Sequence, residues 1–481
     1  MKIVMVASES RPYCKTGGLA DVVYSLSKEL ANVNEDVSII IPYYSSMNVE
    51  AELVYNLPLK MAWRTPRALV YKVISEGITY YLVKNDQYFA RGHLYGDFDD
   101  GERFAFLTLA AKAIMEQFKK APDIVHVHDW QAGMLPCLIK EDKNNKFFSK
   151  TKFVGTIHNP AFQGLFSKII LGDLYNLPDT LYDNGQVRFK DQVSTLKTMI
   201  VYSDLITTVS PTHHLELLTP EGSMGLNDVL RLREFDFVGI LNGIDYKEFN
   251  PSDDKNIEMN FNSSNIIKGK KANKLALLKQ FNLKDETAPI FSLVTRITWQ
   301  KGFDLVFPAV EELVNKGCNI IMLGSGEYDY EQRWEDIRRK YPDHIGIYIG
   351  YNDALAHKIY AGSDFFLMPS LFEPCGLGQM IAQRYGTLPI VRRTGGLKDS
   401  VINYDGNNSE TSNGFGFDEY SNYEMNRTCW YAYSVYKKKA LLHKLSKNAF
   451  NTDNSWVKSM NEYRKVYLSL LKRKWVDNNV V

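Results

Sequence analysis

Apolar residues along this chain gather into short runs separated by segments of helical length, and the rhythm recurs through both halves of the sequence. In the first half the runs are Ile3 to Ala7, Val37 to Ile41, Ile124 to Val127, Phe153 to Ile157 and Leu205 to Val209. In the second they are Ile290 to Thr295, Asn319 to Leu323, Gly346 to Ile349, Phe365 to Met368 and Leu388 to Val391. Runs this short and this rich in β-branched residues fit strands buried on both faces of a parallel sheet. Amphipathic stretches between them, among them Ala20 to Ala31 and Arg103 to Phe118, predict covering helices. The alternation predicts an α/β fold of two Rossmann-like, doubly wound domains. After Gly239-Ile-Leu-Asn-Gly-Ile-Asp245 comes a polar stretch, Ser252 to Lys271, which reads as a surface connection beside an interdomain hinge. The expected domains are therefore 1–240 and 241–457. Leu441 to Lys474 looks helical, and the tail, 458–481, is free to cross back to the first domain.

Composition narrows the function classes. At 481 residues the chain exceeds the roughly 150 that one domain usually occupies. Lys plus Arg total 57 and Asp plus Glu 56, so the net charge of +1 lacks the basic field that nucleic-acid binding exploits, and any anion must be gripped locally. No run of about 18 apolar residues exists to span a membrane, and the run after Lys2 is too brief for a signal-peptide core. The five cysteines are odd in number and without CxxC spacing, which argues against a disulfide framework or a structural zinc site and for a reducing cytoplasm.

Open parallel sheets bind ligands where strands end and helices begin. The first strand runs into Glu9-Ser-Arg-Pro-Tyr-Cys-Lys15-Thr-Gly17-Gly18, two glycines opening a helix beside a lysine. Its amides can approach a phosphate, although a tight turn explains the glycines equally well. His126-Val-His128-Asp129-Trp130 and His158-Asn159-Pro160 put polar groups at two further strand ends, and His126 and His128 are taken to face opposite sides of their strand, which disfavours a shared metal. Arg296 and Lys301, with Gly302, offer a planar fork and a compact charge at another junction, suited to a diphosphate, though a solvated basic turn has the same composition. The densest cluster is Ser370-Leu-Phe-Glu373-Pro-Cys-Gly376-Leu377-Gly378-Gln379, followed by Arg392-Arg393-Thr-Gly395-Gly396. Glu373 there is suited to sugar hydroxyls, a capped helix with an acidic first turn being the plainer alternative. Asp97-Phe-Asp99-Asp100 has the look of an Asp-x-Asp metal motif but sits in a loop where Asp-rich turns are common.

Together these segments resemble the bacterial glycogen synthase and plant starch synthase family, retaining glucosyltransferases of the GT-B architecture. The resemblance covers nearly the whole chain. It rests on Lys15-Thr-Gly-Gly-Leu-Ala-Asp21, His128-Asp-Trp130, Gly155-Thr-Ile-His-Asn159, Thr208-Val-Ser-Pro-Thr212, Gly239-Ile-Leu-Asn-Gly-Ile-Asp245, Gln300-Lys-Gly302, Leu355-Ala-His357, Phe372-Glu-Pro-Cys-Gly-Leu377 and Tyr385-Gly-Thr387. It implies transfer of glucose from ADP-glucose to the terminal 4-hydroxyl of an α-1,4-glucan, with the donor mainly on the second domain, the acceptor mainly on the first, and no metal or other cofactor. It further implies that Arg296 and Lys301 hold the diphosphate with Lys15, Gly17 and Gly18 closing over it. Tyr351 would stack on adenine, Glu373 would bind the transferred glucose, and the amides of Leu377 and Gly378 would support the distal phosphate. His158 would contact the glucose near its reacting carbon, Glu9, Tyr95, Trp130 and Asn159 would line the acceptor path, and Asn242 would lie near the cleft.

Some positions depart from the family pattern: Gly378 stands for a hydroxyl residue, Trp299 for a small polar or acidic one, Phe249 for Trp, His213-His214 for Tyr-Ala, and Leu196 to Met199 lacks a glycine. A GT-B enzyme acting on another acceptor, a nucleotide-sugar epimerase and a non-catalytic glucan-binding scaffold are the alternatives. Retained Arg296, Lys301 and Glu373 disfavour the scaffold. ADP-glucose is preferred to UDP-glucose on the bacterial resemblance, and oligomeric state has no signature.

Overall fold

The computed structural model describes residues 1–472 and forms two compact units, one of Met1–Ile240 joined by the chain from Ser459, the other Leu241–Lys458.

The first unit is built on a nine-stranded sheet. Its strands are β1 (Lys2–Val6), β2 (Asp36–Pro42), β3 (Glu52–Pro58), β4 (Arg67–Ser75), β5 (Ile78–Lys84), β6 (Ile124–His128) and β7 (Lys152–Ile157). After a small three-stranded sheet of β8 (Leu165–Phe166), β9 (Arg188–Phe189) and β10 (Gln192–Ser194) come β11 (Leu205–Thr208) and β12 (Phe237–Gly239). The order is β12-β11-β7-β6-β1-β2-β5-β4-β3, parallel from β12 to β5, with β4 and β3 added antiparallel. Every residue of β6 and β7 is buried, as their apolar runs require. The sheet reverses direction of growth between β1 and β6, the switch point at which such sheets bind ligands.

The second unit holds β13 (Ile290–Val294), β14 (Asn319–Gly324), β15 (Ile345–Ile349), β16 (Phe365–Met368), β17 (Leu388–Arg392) and β18 (Phe415–Phe417). They are all parallel in the order β15-β14-β13-β16-β17-β18, with the switch point between β13 and β16. Phe291, Val306, Val310, Trp334, Phe365 and Leu445 belong to a continuous core on this sheet. Two α/β units with parallel sheets are the Rossmann-like pair of the GT-B class.

The predicted helices are present: Ala20 to Ala31 lies in Gly18–Asn32, and Arg103 to Phe118 largely in Asp100–Glu116. The tail forms two helices, Lys439–Asn451 and Trp456–Lys472, and the remainder of the predicted helical tail lies outside the described residues. In the first unit Tyr467 of the last helix is buried and its hydroxyl meets His126 Nδ1 at 2.7 Å.

The polar stretch Ser252 to Lys271 is not merely a surface connection. Asp254 is buried, taking bonds from His357 Nδ1 at 2.7 Å and the Tyr385 hydroxyl at 2.5 Å. The carboxylate holds His357 above its usual range against the opposing effect of burial. The family segments containing His357 and Tyr385 thus serve this buried network, and Phe249 completes it by stacking on His357 with ring centroids 5.1 Å apart.

Candidate functional site

In the first unit the functional side chains gather where β1, β6 and β7 end. Glu9 is 2% exposed, and its Oε2 accepts from the amide and hydroxyl of Thr16 at 2.5 and 2.9 Å. Burial pushes its carboxyl above the usual range, opposed by those two bonds. Tyr95 meets Ser8 Oγ at 3.0 Å through its hydroxyl, so the side chains before and after the turn are tied to one loop. A Cβ at Gly17 or Gly18 would meet nothing within 4 Å, which leaves the backbone at the head of helix Gly18–Asn32 open to close approach. Lys15 is not a free cation here: its Nζ lies 2.8 Å from Asp21, which also pairs with Arg11 at 3.3 Å.

The two histidines of β6 correct the expectation that they face opposite sides. Residues i and i+2 of a strand share a face, and the rings of His126 and His128 stack with centroids 4.2 Å apart. His126 spends its nitrogens on Tyr467 and on Thr156 Oγ1 at 2.5 Å, whereas His128 Nδ1 meets His158 Nε2 at 3.0 Å. Burial drives His158 down to about 3 and His128 well below its usual range, so both rings are neutral near pH 7. Asp129 caps the loop after β7 by accepting from the His158 amide at 2.7 Å; burial raises its carboxyl to about 7. Trp130 packs edge-on against Phe104 with centroids 5.1 Å apart, while its carbonyl takes a bond from Thr195 at 2.8 Å. Asn159 is half-buried beside His158, and its Oδ1 accepts from the Ala161 amide at 3.0 Å.

The second unit assembles its site where β13, β16 and β17 end. Lys301 Nζ and Glu373 Oε2 form an ion pair at 2.5 Å, and Ser370 Oγ donates to the same oxygen at 3.0 Å. Glu373 is 8% exposed, and with Oε2 so occupied its Oε1 is left for hydroxyl donors. The loops carrying this pair are fastened together: Gln300 Nε2 donates to the Phe372 carbonyl at 3.0 Å, and the Leu371 amide to the Gln300 carbonyl at 2.8 Å. Gly302, at φ 76°, lies so close to Pro369 that a Cβ would stand 2.3 Å from its carbonyl oxygen. Only glycine satisfies both the left-handed backbone and that approach. Gly395 is equally constrained, its Cβ position being 2.0 Å from the Glu373 carbonyl oxygen.

Arg296 is exposed and forms no ion pair among the described residues, and it stands on the loop after β13 that also carries Lys301. Arg392 instead spans the 370–371 turn, donating to the Leu371 carbonyl at 2.5 Å. Asn242 is buried against the Cys375 thiol, which burial pushes up to about 12. Leu377 caps the helix Gly378–Arg384. Tyr351 follows Gly350 and is 87% exposed. At Gly378 a Cβ would lie 3.0 and 3.1 Å from the Phe366 ring, so the missing hydroxyl residue is matched by an aromatic ring filling its space.

Sequence reasoning assigned no role to Ser370, Asp21, His128 or Asp129, although each stood inside a quoted motif. The signal was position within the motifs: Ser370 lies three residues before Glu373, and His128 and Asp129 adjoin at the end of β6, where they meet the ring and the amide of His158. The carboxylates of Asp97, Asp99 and Asp100 are taken by arginines, Asp97 by Arg103 at 2.8 Å, Asp99 by Arg91 at 2.7 Å and Asp100 by Arg103 at 2.5 Å. They brace the loop that carries Tyr95.

Residues 2–232 match the family model of the starch synthase catalytic domain, and 276–452 that of glycosyl transferases group 1. The chain is 43% identical over 477 residues to a protein named glycogen synthase from Clostridium kluyveri, covering 98% of this chain and all of that one. It belongs to the glycogen and starch synthase family of glucosyltransferases. A second relative of the same name, from Clostridium beijerinckii, is also 43% identical, across 98% of this chain and 99% of its own. The catalytic domain of starch synthase IV from Arabidopsis thaliana, solved bound to ADP and acarbose, superposes with a TM-score of 0.91 at 33% identity, covering 98% and 99% of the two chains. The two candidate clusters lie one on each α/β unit, with the His128–His158 pair on the first and the Lys301–Glu373 ion pair on the second.

Proposed function

We propose that the chain elongates an α-1,4-glucan in the cytoplasm by moving glucose from ADP-glucose to its terminal 4-hydroxyl, with retention of the α configuration. The observation that carries this is the Lys301–Glu373–Ser370 cluster, with the exposed Arg296 on the same loop as Lys301 and in no ion pair among the described residues. A diphosphate needs cations and a sugar needs a fixed acceptor for its hydroxyls, and here the two fastened loops after β13 and β16 supply both.

In this assignment Arg296 binds the diphosphate directly and Lys301 shares its charge between Glu373 and the distal phosphate. Departure of ADP builds negative charge at that point, where fixed cations and the amides of Leu377 and Gly378 stabilise it without rearranging. Glu373, held by Lys301 and Ser370, presents Oε1 to the glucose hydroxyls. Asn242 steadies the Cys375 turn next to it. Tyr351, exposed after Gly350, offers its face to the nucleotide base. Lys15, with Gly17 and Gly18, serves the phosphates from the first unit once its bond to Asp21 is exchanged.

His158 is neutral, so it acts through a hydrogen bond at its remaining nitrogen and not as a resident cation near the reacting carbon. Glu9, Tyr95, Trp130 and Asn159 form the acceptor surface, where an aromatic edge and bonded polar groups suit a neutral sugar chain. The domain limits proposed for this activity are 1–240 for the acceptor side, 241–457 for the donor side, and 458–481 as the tail.

The test is glucose incorporation into glycogen from labelled ADP-glucose and, in parallel, UDP-glucose, with chelator present and the anomeric configuration of the new linkage read by α-specific amylase digestion. Amylase-sensitive label from ADP-glucose is expected. Preference for UDP-glucose, or label that amylase cannot release, contradicts the assignment.

A further inference from the structure

At the opposite end of the second unit's sheet, where β13, β16 and β17 begin, lies a cavity of about 420 Å³. It is remote along the strands from Glu373 and Arg392, which follow their carboxyl ends. A volume of this size falls in the small-molecule range of about 300–1,000 Å³. Its walls are mostly apolar, contributed by Ile266, Ile267, Leu388 and Leu442.

The cations around it are unequally matched. Lys274 is neutralised by Asp364 at 2.7 Å and also bonds the Tyr436 hydroxyl at 2.8 Å. Lys270 forms no ion pair among the described residues. Its ammonium donates to the carbonyls of Ser363 and Tyr360 at 2.6 and 3.4 Å and to Thr387 Oγ1 at 2.5 Å, all neutral acceptors. Burial pushes Lys270 down to about 7, Asp364 opposing and Lys274 adding to the shift. Lys439 rests its ammonium 3.2 Å from the centroid of the Tyr436 ring, and neither it nor the exposed Lys271 forms an ion pair among the described residues. Against Lys270, Lys271 and Lys439 the wall offers one further carboxylate, Glu286.

We propose that this cavity binds a small organic anion, with an oxyanion head drawn to Lys271 and Lys439 over the buried charge of Lys270 and an apolar body against Ile267, Leu388 and Leu442. A neutral apolar ligand would leave three lysines uncompensated; a bare inorganic anion would leave the apolar wall wet. The groups facing Lys270 across the cavity are Lys271 and Lys274 of its own helix, Asp364, Glu286, Tyr436, Lys439 and His443. A bound anion favours charged Lys270, so binding takes up a proton near pH 7 and tightens as pH falls.

The experiment is titration calorimetry of the full chain with phenyl phosphate, benzoate, inorganic phosphate and phenol, in saturating ADP and in buffers of different ionisation enthalpy. Phenyl phosphate or benzoate is expected to bind at pH 7.5 with proton uptake, at least about tenfold tighter than inorganic phosphate or phenol. Lys270→Met and Lys439→Gln weaken it about tenfold and Leu442→Trp, which fills the cavity, abolishes it, while glucose transfer from ADP-glucose stays within twofold as the sign of a folded enzyme. His443→Gln leaves the proton uptake in place. Equal binding of phenol, binding lost to ADP competition, or binding indifferent to both Lys270→Met and Leu442→Trp overturns the proposal.

Discussion

The candidate clusters of the first and second units handle charge in opposite ways. On the first unit burial suppresses it: His128 and His158 are neutral, and the carboxyls of Glu9 and Asp129 are pushed up. On the second, Lys301 and Glu373 are matched at 2.5 Å next to a solvent-facing Arg296. Both clusters occupy the carboxyl ends of strands at a switch point, so topology alone does not distinguish them. The proposed assignment matches this difference: a hydroxyl-rich neutral chain for one cluster, an anionic leaving group for the other.

The largest effect is expected at the ionic cluster. Glu373→Gln keeps the shape but removes the charge that Lys301 and Ser370 hold in place, and kcat/KM for ADP-glucose should fall about 10²–10³-fold in a glucose-incorporation assay. Lys301→Met strands a largely buried carboxylate and should cost about 3–5 kcal/mol in urea unfolding. The double variant should recover most of that stability and none of the activity. Recovery of activity would mean the pair is only structural.

On the neutral side, His158→Ala should lower kcat by about 10–100-fold through misplaced sugar and leave the affinity for ADP within twofold. The pH–rate profile should show no imidazole limb near pH 6.5, because the folded ring titrates at about 3.

Asp129 gives a stability test with a defined sign. Its folded pKa of about 7 lies above the usual aspartate value of 3.8, so the folded state holds a proton that the unfolded chain releases, and stability falls as pH rises between those values. Asp129→Asn should therefore raise Tm at pH 8, by up to about 4 kcal/mol of stability, and make no difference below pH 4. The buried histidines oppose this trend, since their lowered pKa values withdraw stability as pH falls below about 6.5. The comparison of Asp129→Asn with the parent at each pH isolates the carboxyl.

The smallest effect is expected at Gly378. Serine there presses on Phe366 and should cost about 1 kcal/mol while changing KM for ADP-glucose less than tenfold; Phe366→Leu in the same chain should restore Tm.

The ten apolar runs read from the chain each coincide with a strand of the two large sheets to within one residue at the C-terminal end, because burial on both faces leaves an unbroken hydrophobic signature. The Glu52–Lys84 region escaped notice. Its strand β3 is an edge, with Glu52 and Leu53 exposed, and strands β4 and β5 mix Tyr, Lys and Thr with apolar residues. The three-stranded sheet is too short to carry a pattern. Site residues were legible as types at strand ends, but pairings were not. Lys301 and Glu373 are 72 residues apart and His128 and His158 are 30 apart, and neither distance is visible without the strand order. The stacking of His126 on His128 required only the period of a strand applied correctly.

The central claim is the division of labour between the clusters, and the most direct measurement is calorimetric binding of ADP and of maltotetraose, separately, to Arg296→Ala and Trp130→Ala. Arg296→Ala should weaken ADP at least about tenfold with maltotetraose within twofold, and Trp130→Ala should do the reverse. Comparable loss of both ligands in either variant would contradict it.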